Sequence, residues 1–177
     1  LFPCVMKAGV ISPGINALDR WMPTRHMVEN RVSTLITVPS MIAAVSKHQG
    51  GETFPDLNVL ISCGEPLHLD VLKNALENIK PRHIYNFYGS TEVGPWIFHH
   101  ECSPIDLERF KQFGYLPIGK PIEGNTILIT ENGELLVAGR QVSPGYLGGV
   151  GADRFVTNGG KRWYHTGDKV VQHEDFY

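Results

Sequence analysis

Residues 86–92, Asn-Phe-Tyr-Gly-Ser-Thr-Glu, combine side chains that could bind a nucleotide. The tyrosine ring can stack on a base, and the glycine lets backbone approach a phosphate closely. The two adjacent hydroxyls can donate to phosphate oxygens, and the glutamate can hold a divalent cation that neutralises the phosphate charge. A turn after a strand also favours glycine and serine, so this stretch alone leaves a purely structural alternative open.

The residues around this stretch alternate between predicted strands and predicted helices. The β-branched, largely apolar residues 32–38, the mainly apolar residues 57–62 and the β-rich residues 83–87 predict three strands, the first of them buried. A helix beginning at Pro39 follows the first strand, and apolar residues recur at helical spacing over 69–79 after the second. Strands joined by crossover helices pair in parallel. We therefore predict an α/β fold whose nucleotide-like stretch lies outside the carboxyl ends of the strands, where ligands bind in such sheets.

The helical period disappears after residue 105. Residues 126–137 predict a hairpin around an Asn-Gly turn. Further glycines and short apolar runs such as 169–171 predict a small twisted sheet or partial barrel. The sequence thus predicts an α/β subdomain with a parallel sheet over residues 1–105 and a small β-rich subdomain over residues 106–177, with 101–117 as the connector.

Composition excludes several classes of function. A net charge of -2 gives no electrostatic case for binding nucleic acid or an anionic membrane. No apolar run approaches the length that spans a bilayer. The cysteines Cys4, Cys63 and Cys102 are odd in number and widely spaced, which predicts reduced thiols. These features predict a cytoplasmic protein that contacts neither nucleic acid nor membrane.

Motifs in a fixed order resemble those of the adenylate-forming superfamily, which includes acyl-CoA synthetases, luciferases and the adenylation domains of peptide synthetases. They are residues 60–67 (Leu-Ile-Ser-Cys-Gly-Glu-Pro-Leu), 86–92, 133–146 (Gly-Glu-Leu to Gly-Tyr) and 163–168 (Trp-Tyr-His-Thr-Gly-Asp), together with 116–121 (Leu-Pro-Ile-Gly-Lys-Pro). The resemblance covers the whole chain. One difference is the serine at position 90, where amino-acid-activating members usually carry proline.

The resemblance implies part of an AMP-forming ligase that uses ATP and Mg²⁺ to convert a small amino or carboxylic acid into an acyl-adenylate. It implies that Thr91 and Glu92 are catalytic, with Thr91 donating to the α-phosphate and Glu92 acting as the metal ligand. Tyr88 would stack on the adenine, Asn86 would bond the adenine amino group, and Asp168 would accept bonds from the ribose hydroxyls. The implied nucleotide-binding residues are Gly64, Glu65, Pro66, Asn86, Phe87, Tyr88, Gly89, Ser90 and Asp168.

Each of these residues also has a simpler structural interpretation. Thr91 and Glu92 could cap a turn or a helix, and an asparagine such as Asn86 also terminates strands. Asp168 follows a glycine, and Gly-Asp is a common turn pair. Gly64 equally fits a tight turn between a strand and a helix.

The resemblance also implies an acid-binding pocket with walls from six positions, which are Thr37, Ile61, Cys63, Phe87, Pro95 and Trp96. Phe87 and Trp96 are bulky, which predicts a short pocket. The Cys-Gly-Glu at 63–65 is similar to that of D-alanine-activating ligases, but Phe87 and Trp96 depart from their pattern. Cys63 is otherwise a small buried apolar residue, as free cysteines usually are.

The implied partners are the activated acid, an acceptor, and the rest of the ligase. The acceptor is either the phosphopantetheine thiol of a carrier protein or CoA, and the Cys-Gly-Glu motif favours the carrier protein. A non-catalytic nucleotide-binding piece is the third alternative. Because the resemblance places a phosphate loop upstream and a lysine-bearing domain downstream, we expect the 177-residue chain by itself to be inactive.

The sequence His99-His100-Glu101-Cys102 contains residue types that bind metals. Four adjacent side chains point in different directions and lack the spacings known for zinc. We therefore predict a surface or loop segment at this position.

Overall fold

The computed structural model describes residues 23–47 and 53–177. Its first part alternates helices and strands: α1 (Thr24–Glu29), β1 (Thr34–Thr37), α2 (Pro39–Lys47), β2 (Val59–Cys63), α3 (Leu69–Asn74) and β3 (His83–Ser90). Helix α3 continues into a single π-helical turn, Ala75–Ile79, which ends at Lys80 in the left-handed conformation. The predicted strands and both crossover helices are confirmed, although β3 extends three residues beyond its predicted end at 87.

The first sheet has the strand order β1-β2-β3-β4-β5, where β4 is Gly94–Cys102 and β5 is Lys120–Pro121. Strands β1, β2 and β3 pair in parallel, as predicted. Strand β4 was not predicted; it turns back from β3 and pairs with it antiparallel. This hairpin places residues 91–93 in the tight turn between the two strands.

The second sheet is antiparallel and has the strand order β6-β7-β9-β8. Its strands are β6 (Thr126–Ile129), β7 (Glu134–Ala138), β8 (Phe155–Asn158) and β9 (Lys161–Lys169), with short 3₁₀ turns at Leu147–Gly149 and Ala152–Arg154. The predicted Asn-Gly hairpin joins β6 to β7, and its Gly133 has φ +84°. A β-rich second part is therefore confirmed.

Two apolar cores hold these layers together. The first packs α2 and α3 against one face of the parallel strands, through residues such as Ile42, Leu60 and Leu72. The second core lies between β4 and the second sheet, and Phe98, Leu135 and Val137 in it are fully buried. Because burial of apolar area is the main favourable term in folding, this second core fixes the second sheet against the first.

Two predictions about the middle of the chain need correction. His99–Cys102 is not a surface loop but the end of β4, in which His99 and Glu101 are exposed while His100 and Cys102 are buried. The predicted connector at 101–117 contains the end of β4 and the short helix α4 (Asp106–Arg109). The boundary between residues 105 and 106 stays a prediction, and Cys4 lies outside the described residues.

Candidate functional site

A cleft of about 360 Å³ opens where the carboxyl ends of the parallel strands meet the second sheet. Its lining includes eight of the residues that the sequence predicted to bind nucleotide: Gly64, Glu65, Pro66, Asn86, Phe87, Tyr88, Gly89 and Asp168. Leu116, Ile118, Lys169 and Val170 complete it. Residues as far apart in the chain as Gly64 and Val170 therefore share one cavity.

The turn after β2 forms one wall of the cleft. Gly64 adopts φ +86°, a conformation that other residues rarely take, so its predicted turn role is confirmed. The Glu65 carboxylate accepts hydrogen bonds from the backbone N–H and the hydroxyl of Ser40, both at 3.2 Å, at the start of α2. This carboxylate thus stabilises the helix N-terminus and holds the turn.

Asn86 lies at the back of the cleft and is only 4% exposed. Its side-chain N–H donates to the Pro117 carbonyl at 2.9 Å. This bond fixes the amide and leaves its carbonyl oxygen as the acceptor. An amino group on a planar base needs such an acceptor.

Tyr88 and Asp168 connect the two sheets across the cleft. The Tyr88 hydroxyl donates to Asp168 Oδ2 at 2.5 Å. Burial raises the pKa of Tyr88, and its bond to Asp168 raises it further, so the phenol stays protonated as the donor. The ring also packs edge-on against Phe98 at 5.8 Å, which orients it from behind. A carboxylate has about four acceptor positions, so Asp168 keeps acceptor capacity for further hydroxyls.

A β-bulge places Asp168 at the cleft. Pairing between β7 and β9 shifts between Glu134 and Leu136, so Gly167 and Asp168 protrude from the ladder. The Glu134 carboxylate holds the bulge by accepting from the Gly167 N–H at 3.1 Å and pairing with His165 at 3.1 Å. His165 and the Gly167 N–H accordingly lower the pKa of Glu134. Gly167 itself has φ +79°, which the bulge requires.

The cleft lining from β3 stops at Gly89, and Ser90, Thr91 and Glu92 lie beyond it in the β3–β4 hairpin. A Cβ at position 89 would overlap the backbone of Gly94 and Pro95, so the hairpin itself requires glycine there. Ser90 Oγ is buried and lies near the Glu92 carboxylate, but it has no hydrogen-bond partner of ordinary geometry in the part of the chain that the structure describes. Thr91 is exposed, and its hydroxyl makes no hydrogen bond to residues 23–47 or 53–177.

Glu92 is held by tyrosines that the sequence interpretation did not assign. The Tyr146 hydroxyl donates to Glu92 Oε1 at 2.5 Å and lies 3.4 Å from the Tyr164 hydroxyl, which in turn accepts from Arg154. The nearby hydroxyls of Ser90 and Tyr146 lower the pKa of Glu92, which keeps it ionised. Tyr146 belongs to the Gly-Tyr motif quoted above, so its importance was signalled but not its partner.

The residues predicted to bind the acid are only partly brought together. Ile61, Cys63 and Phe87 share one face of β2 and β3, and Phe87 packs against Trp96 with ring centroids 5.4 Å apart. Thr37 pairs with Ser62 instead, so strand alternation turns its side chain to the other face, and only its carbonyl contacts the Cys63 thiol, at 3.9 Å. Pro95 and Trp96 also line a separate cavity beside Arg140.

Burial of the Cys63 thiol raises its pKa, so it remains a neutral thiol on that face. Cys63 and Cys102 are free thiols in the part of the chain that the structure describes, and the reduced state of all three cysteines stays a prediction. Over residues 23–47 and 53–177, no cluster of three metal-binding side chains is found. No helix in the same ranges is long and apolar enough to cross a membrane.

Residues 2–147 match the family described as AMP-binding enzyme. The chain is 27% identical over 182 residues to a D-alanine--D-alanyl carrier protein ligase of Staphylococcus haemolyticus, an alignment that covers 97% of this chain and 36% of that protein. The corresponding ligase of Staphylococcus epidermidis is 29% identical over 180 residues, covering 96% of this chain and 36% of that protein. The chain thus spans about a third of the length of the curated relatives it matches.

Solved structures share the fold. The Vibrio cholerae adenylation domain AlmE, in complex with glycyl-adenosine-5'-phosphate, superposes with a TM-score of 0.77 at 22% identity, over 92% of this chain and 33% of that chain. PA1221, a nonribosomal peptide synthetase protein with adenylation and PCP domains, gives 0.72 at 23% identity, over 86% of this chain and 34% of that chain. These likenesses confirm the predicted α/β architecture with its small β-rich part.

Proposed function

Since the chain belongs to the AMP-binding enzyme family, as its motifs predicted, we propose that it supplies part of the active site of an ATP-dependent, adenylate-forming ligase. In the reaction, a carboxylate oxygen of the acid attacks the α-phosphorus of ATP. A bond forms between that oxygen and phosphorus, and the bond to the β-phosphate bridging oxygen breaks. The products are an acyl-adenylate and pyrophosphate.

The observation that carries this proposal is the shared cleft of the Gly64–Pro66 turn, the 86–89 segment and Asp168. A nucleoside needs a flat surface for its base, an acceptor for its amino group and a carboxylate for its ribose. Tyr88, the Asn86 carbonyl oxygen and Asp168 offer these three features within one cavity. Asp168 lies on a bulge of the second sheet, whereas the other two features come from motifs of the first sheet. Its carboxylate therefore supports the same ligand from a separate part of the chain.

We assign the phosphates to the hairpin beyond Gly89. Negative charge shifts across the phosphates as the α–β bond breaks, so cations and hydrogen-bond donors there stabilise the transition state. The Ser90 and Thr91 hydroxyls are donors in this segment, and Ser90 Oγ is buried with no hydrogen-bond partner of ordinary geometry among the described residues. Glu92, kept ionised by its hydroxyl neighbours, would hold Mg²⁺. When bound, Mg²⁺ neutralises phosphate charge and orients the leaving pyrophosphate.

The acid is proposed to be small. Ile61, Cys63 and Phe87 lie on one face of β2 and β3, and the rings of Phe87 and Trp96, with centroids 5.4 Å apart, occupy space beside the cleft. Both the named D-alanine ligases and the glycyl-adenylate complex of AlmE concern small amino acids. We further propose a carrier-protein thiol as acceptor and a cytoplasmic location, where ATP and carrier proteins are found.

The test is ATP–pyrophosphate exchange by the full-length protein with a graded series of acids. Glycine, D-alanine and L-alanine should support exchange, whereas 3-hydroxybenzoate and phenylalanine should not, because the two rings fill the space they need. Replacing Phe87 by alanine should extend exchange to larger acids, and Leu128→Ala, at an exposed position of β6 outside the cleft lining, serves as a control. Exchange with none of these acids, in protein that melts cooperatively, would contradict the proposed reaction.

A further inference from the structure

The segment between Ser143 and Gly151 contacts Glu92 at two points. The Ser143 N–H donates to the Glu92 carbonyl at 2.7 Å, and the Tyr146 hydroxyl donates to Glu92 Oε1 at 2.5 Å. The first contact fixes the backbone of the β3–β4 hairpin, and the second fixes the orientation of the carboxylate. These two hydrogen bonds fix both the backbone and the side chain of Glu92, whichever ligand its carboxylate binds.

Arg162 holds the base of the segment by donating to the Ser143 and Pro144 carbonyls, whereas the tip at residues 147–150 is exposed. Gly148, Gly149 and Gly151 have positive φ, and the Leu147 and Val150 side chains are 100% and 76% exposed. The tip therefore buries almost no apolar area, and Tyr146 attaches it to the fold. Glycine at position 151 leaves room for the Tyr146 ring, since a Cβ there would come within 3.0 Å of Tyr146 Cε2.

A second layer of contacts supports Tyr146 from behind. Its hydroxyl lies 3.4 Å from that of Tyr164, which is 3% exposed and accepts from Arg154 Nη1 at 3.4 Å. Its ring packs edge-on against Phe155 at 5.6 Å. The hydroxyl thus has a fixed place, set by residues of the second sheet.

We propose that Tyr146 is a positioning residue for the cation site. By engaging Oε1, it presents Oε2 of Glu92 in one orientation for a divalent cation on the nucleotide phosphates. The inference rests on the proposed function, since it takes Glu92 as the metal ligand. Removing a residue that orients a ligating carboxylate commonly weakens metal binding tenfold or more.

Binding of Mn²⁺·ATP to the full-length protein, followed by the electron paramagnetic resonance of the ion, tests this. Tyr146→Phe removes one oxygen and should weaken Mn²⁺·ATP binding about tenfold. The affinity for AMP in EDTA should be unchanged, because the base and ribose surfaces are untouched. Tyr85→Phe is the matched control: it removes a hydroxyl that donates to Glu101 at 3.4 Å on the first sheet, and it should change neither affinity. Tyr164→Phe keeps the Tyr146–Glu92 bond and should cost less than Tyr146→Phe.

Glu92→Gln separates the two possible failures. If it weakens Mn²⁺·ATP binding while Tyr146→Phe does not, the positioning role is wrong and the metal role of Glu92 stands. If Glu92→Gln binds Mn²⁺·ATP as the wild type does, both the metal role and the inference are wrong. An equal loss of AMP and Mn²⁺·ATP affinity in Tyr146→Phe would mean general damage to the cleft and would also overturn the positioning role.

Discussion

Replacing Tyr88 by phenylalanine separates the hydroxyl, which bonds Asp168, from the ring, which is proposed to stack on the base. The substitution keeps the ring and its edge-on packing against Phe98. It removes the bond of 2.5 Å between Tyr88 and Asp168 Oδ2. Asp168 then loses the group that fixes its carboxylate across the cleft.

The expected cost follows from the type of bond and its exposure. A hydrogen bond to a charged group contributes about 1.5–3 kcal/mol. Asp168 is exposed, so solvent screening reduces this to about 1 kcal/mol, or about fivefold in nucleotide affinity. Tyr88→Ala removes the ring as well, and base stacking on an aromatic side chain contributes a further 1–3 kcal/mol, roughly. We therefore expect Tyr88→Phe to be mild and Tyr88→Ala to be severe.

The assay is AMP binding by calorimetry to the full-length protein, completed as a double-mutant cycle with Asp168→Ala. If the hydroxyl acts through Asp168, adding Tyr88→Phe to Asp168→Ala should change affinity by less than about twofold. A full fivefold loss in that background would show that the hydroxyl acts elsewhere. Tighter binding by Tyr88→Phe alone would show that the tyrosine competes with the ribose, and the reasoning would be refuted.

Three further outcomes are expected. Glu92→Gln should lower pyrophosphate exchange by about a hundredfold or more, as loss of a positioned charge at the phosphates does, while Glu77→Gln on the exposed side of the helix should not; full activity of Glu92→Gln would remove it from the mechanism. Asp168→Ala should raise the KM for ATP, and the wild type should use 2′-deoxy-ATP or 3′-deoxy-ATP less well than ATP, because a site built for a hydroxyl is left unpaired without it; equal use of all three nucleotides would contradict the ribose assignment. Burial lowers the pKa of His100, so the unfolded chain binds a proton there more readily than the folded protein does. The free energy of unfolding should therefore be fully retained above the unfolded pKa near 6.5 and should fall as the pH drops below it. Urea unfolding between pH 7.5 and 5 should show a smaller decrease in His100→Gln than in the wild type.

The parallel part of the fold was predictable because its strands and helices have strong, distinct patterns. Residues 59–61 form an apolar Val-Leu-Ile run, and the helix over 69–79 repeats its apolar positions at helical spacing. Strand β4 was missed because Pro95 and two adjacent histidines obscure its alternation. That alternation becomes visible only when Phe98 and His100 are buried against the second sheet and α4, which no local pattern reveals.

Motif resemblance anticipated the cleft residues but not the bonds between them. The sequence interpretation gave Tyr88 and Asp168 separate roles, yet they contact each other across a long chain separation. Tyr146 lay in a recognised motif, but its contact with Glu92 depends on how the two sheets pack. The face that Thr37 occupies depends on the pairing register of β1 with β2, because a shift of one residue would reverse it, and no local pattern gives that register.

Residues of both sheets line the cleft, so a nucleotide bound there would hold the two sheets together across the second core. By mass action, any ligand that needs both sheets docked stabilises the docked arrangement by its own binding energy. Truncation of Val137, buried in the second core and outside the cleft lining, should then raise the nucleotide concentration needed for activity, and added nucleotide should raise the melting temperature of the variant. Such a substitution would raise the KM for the nucleotide as a binding-site mutation does, although the substituted residue contacts no ligand.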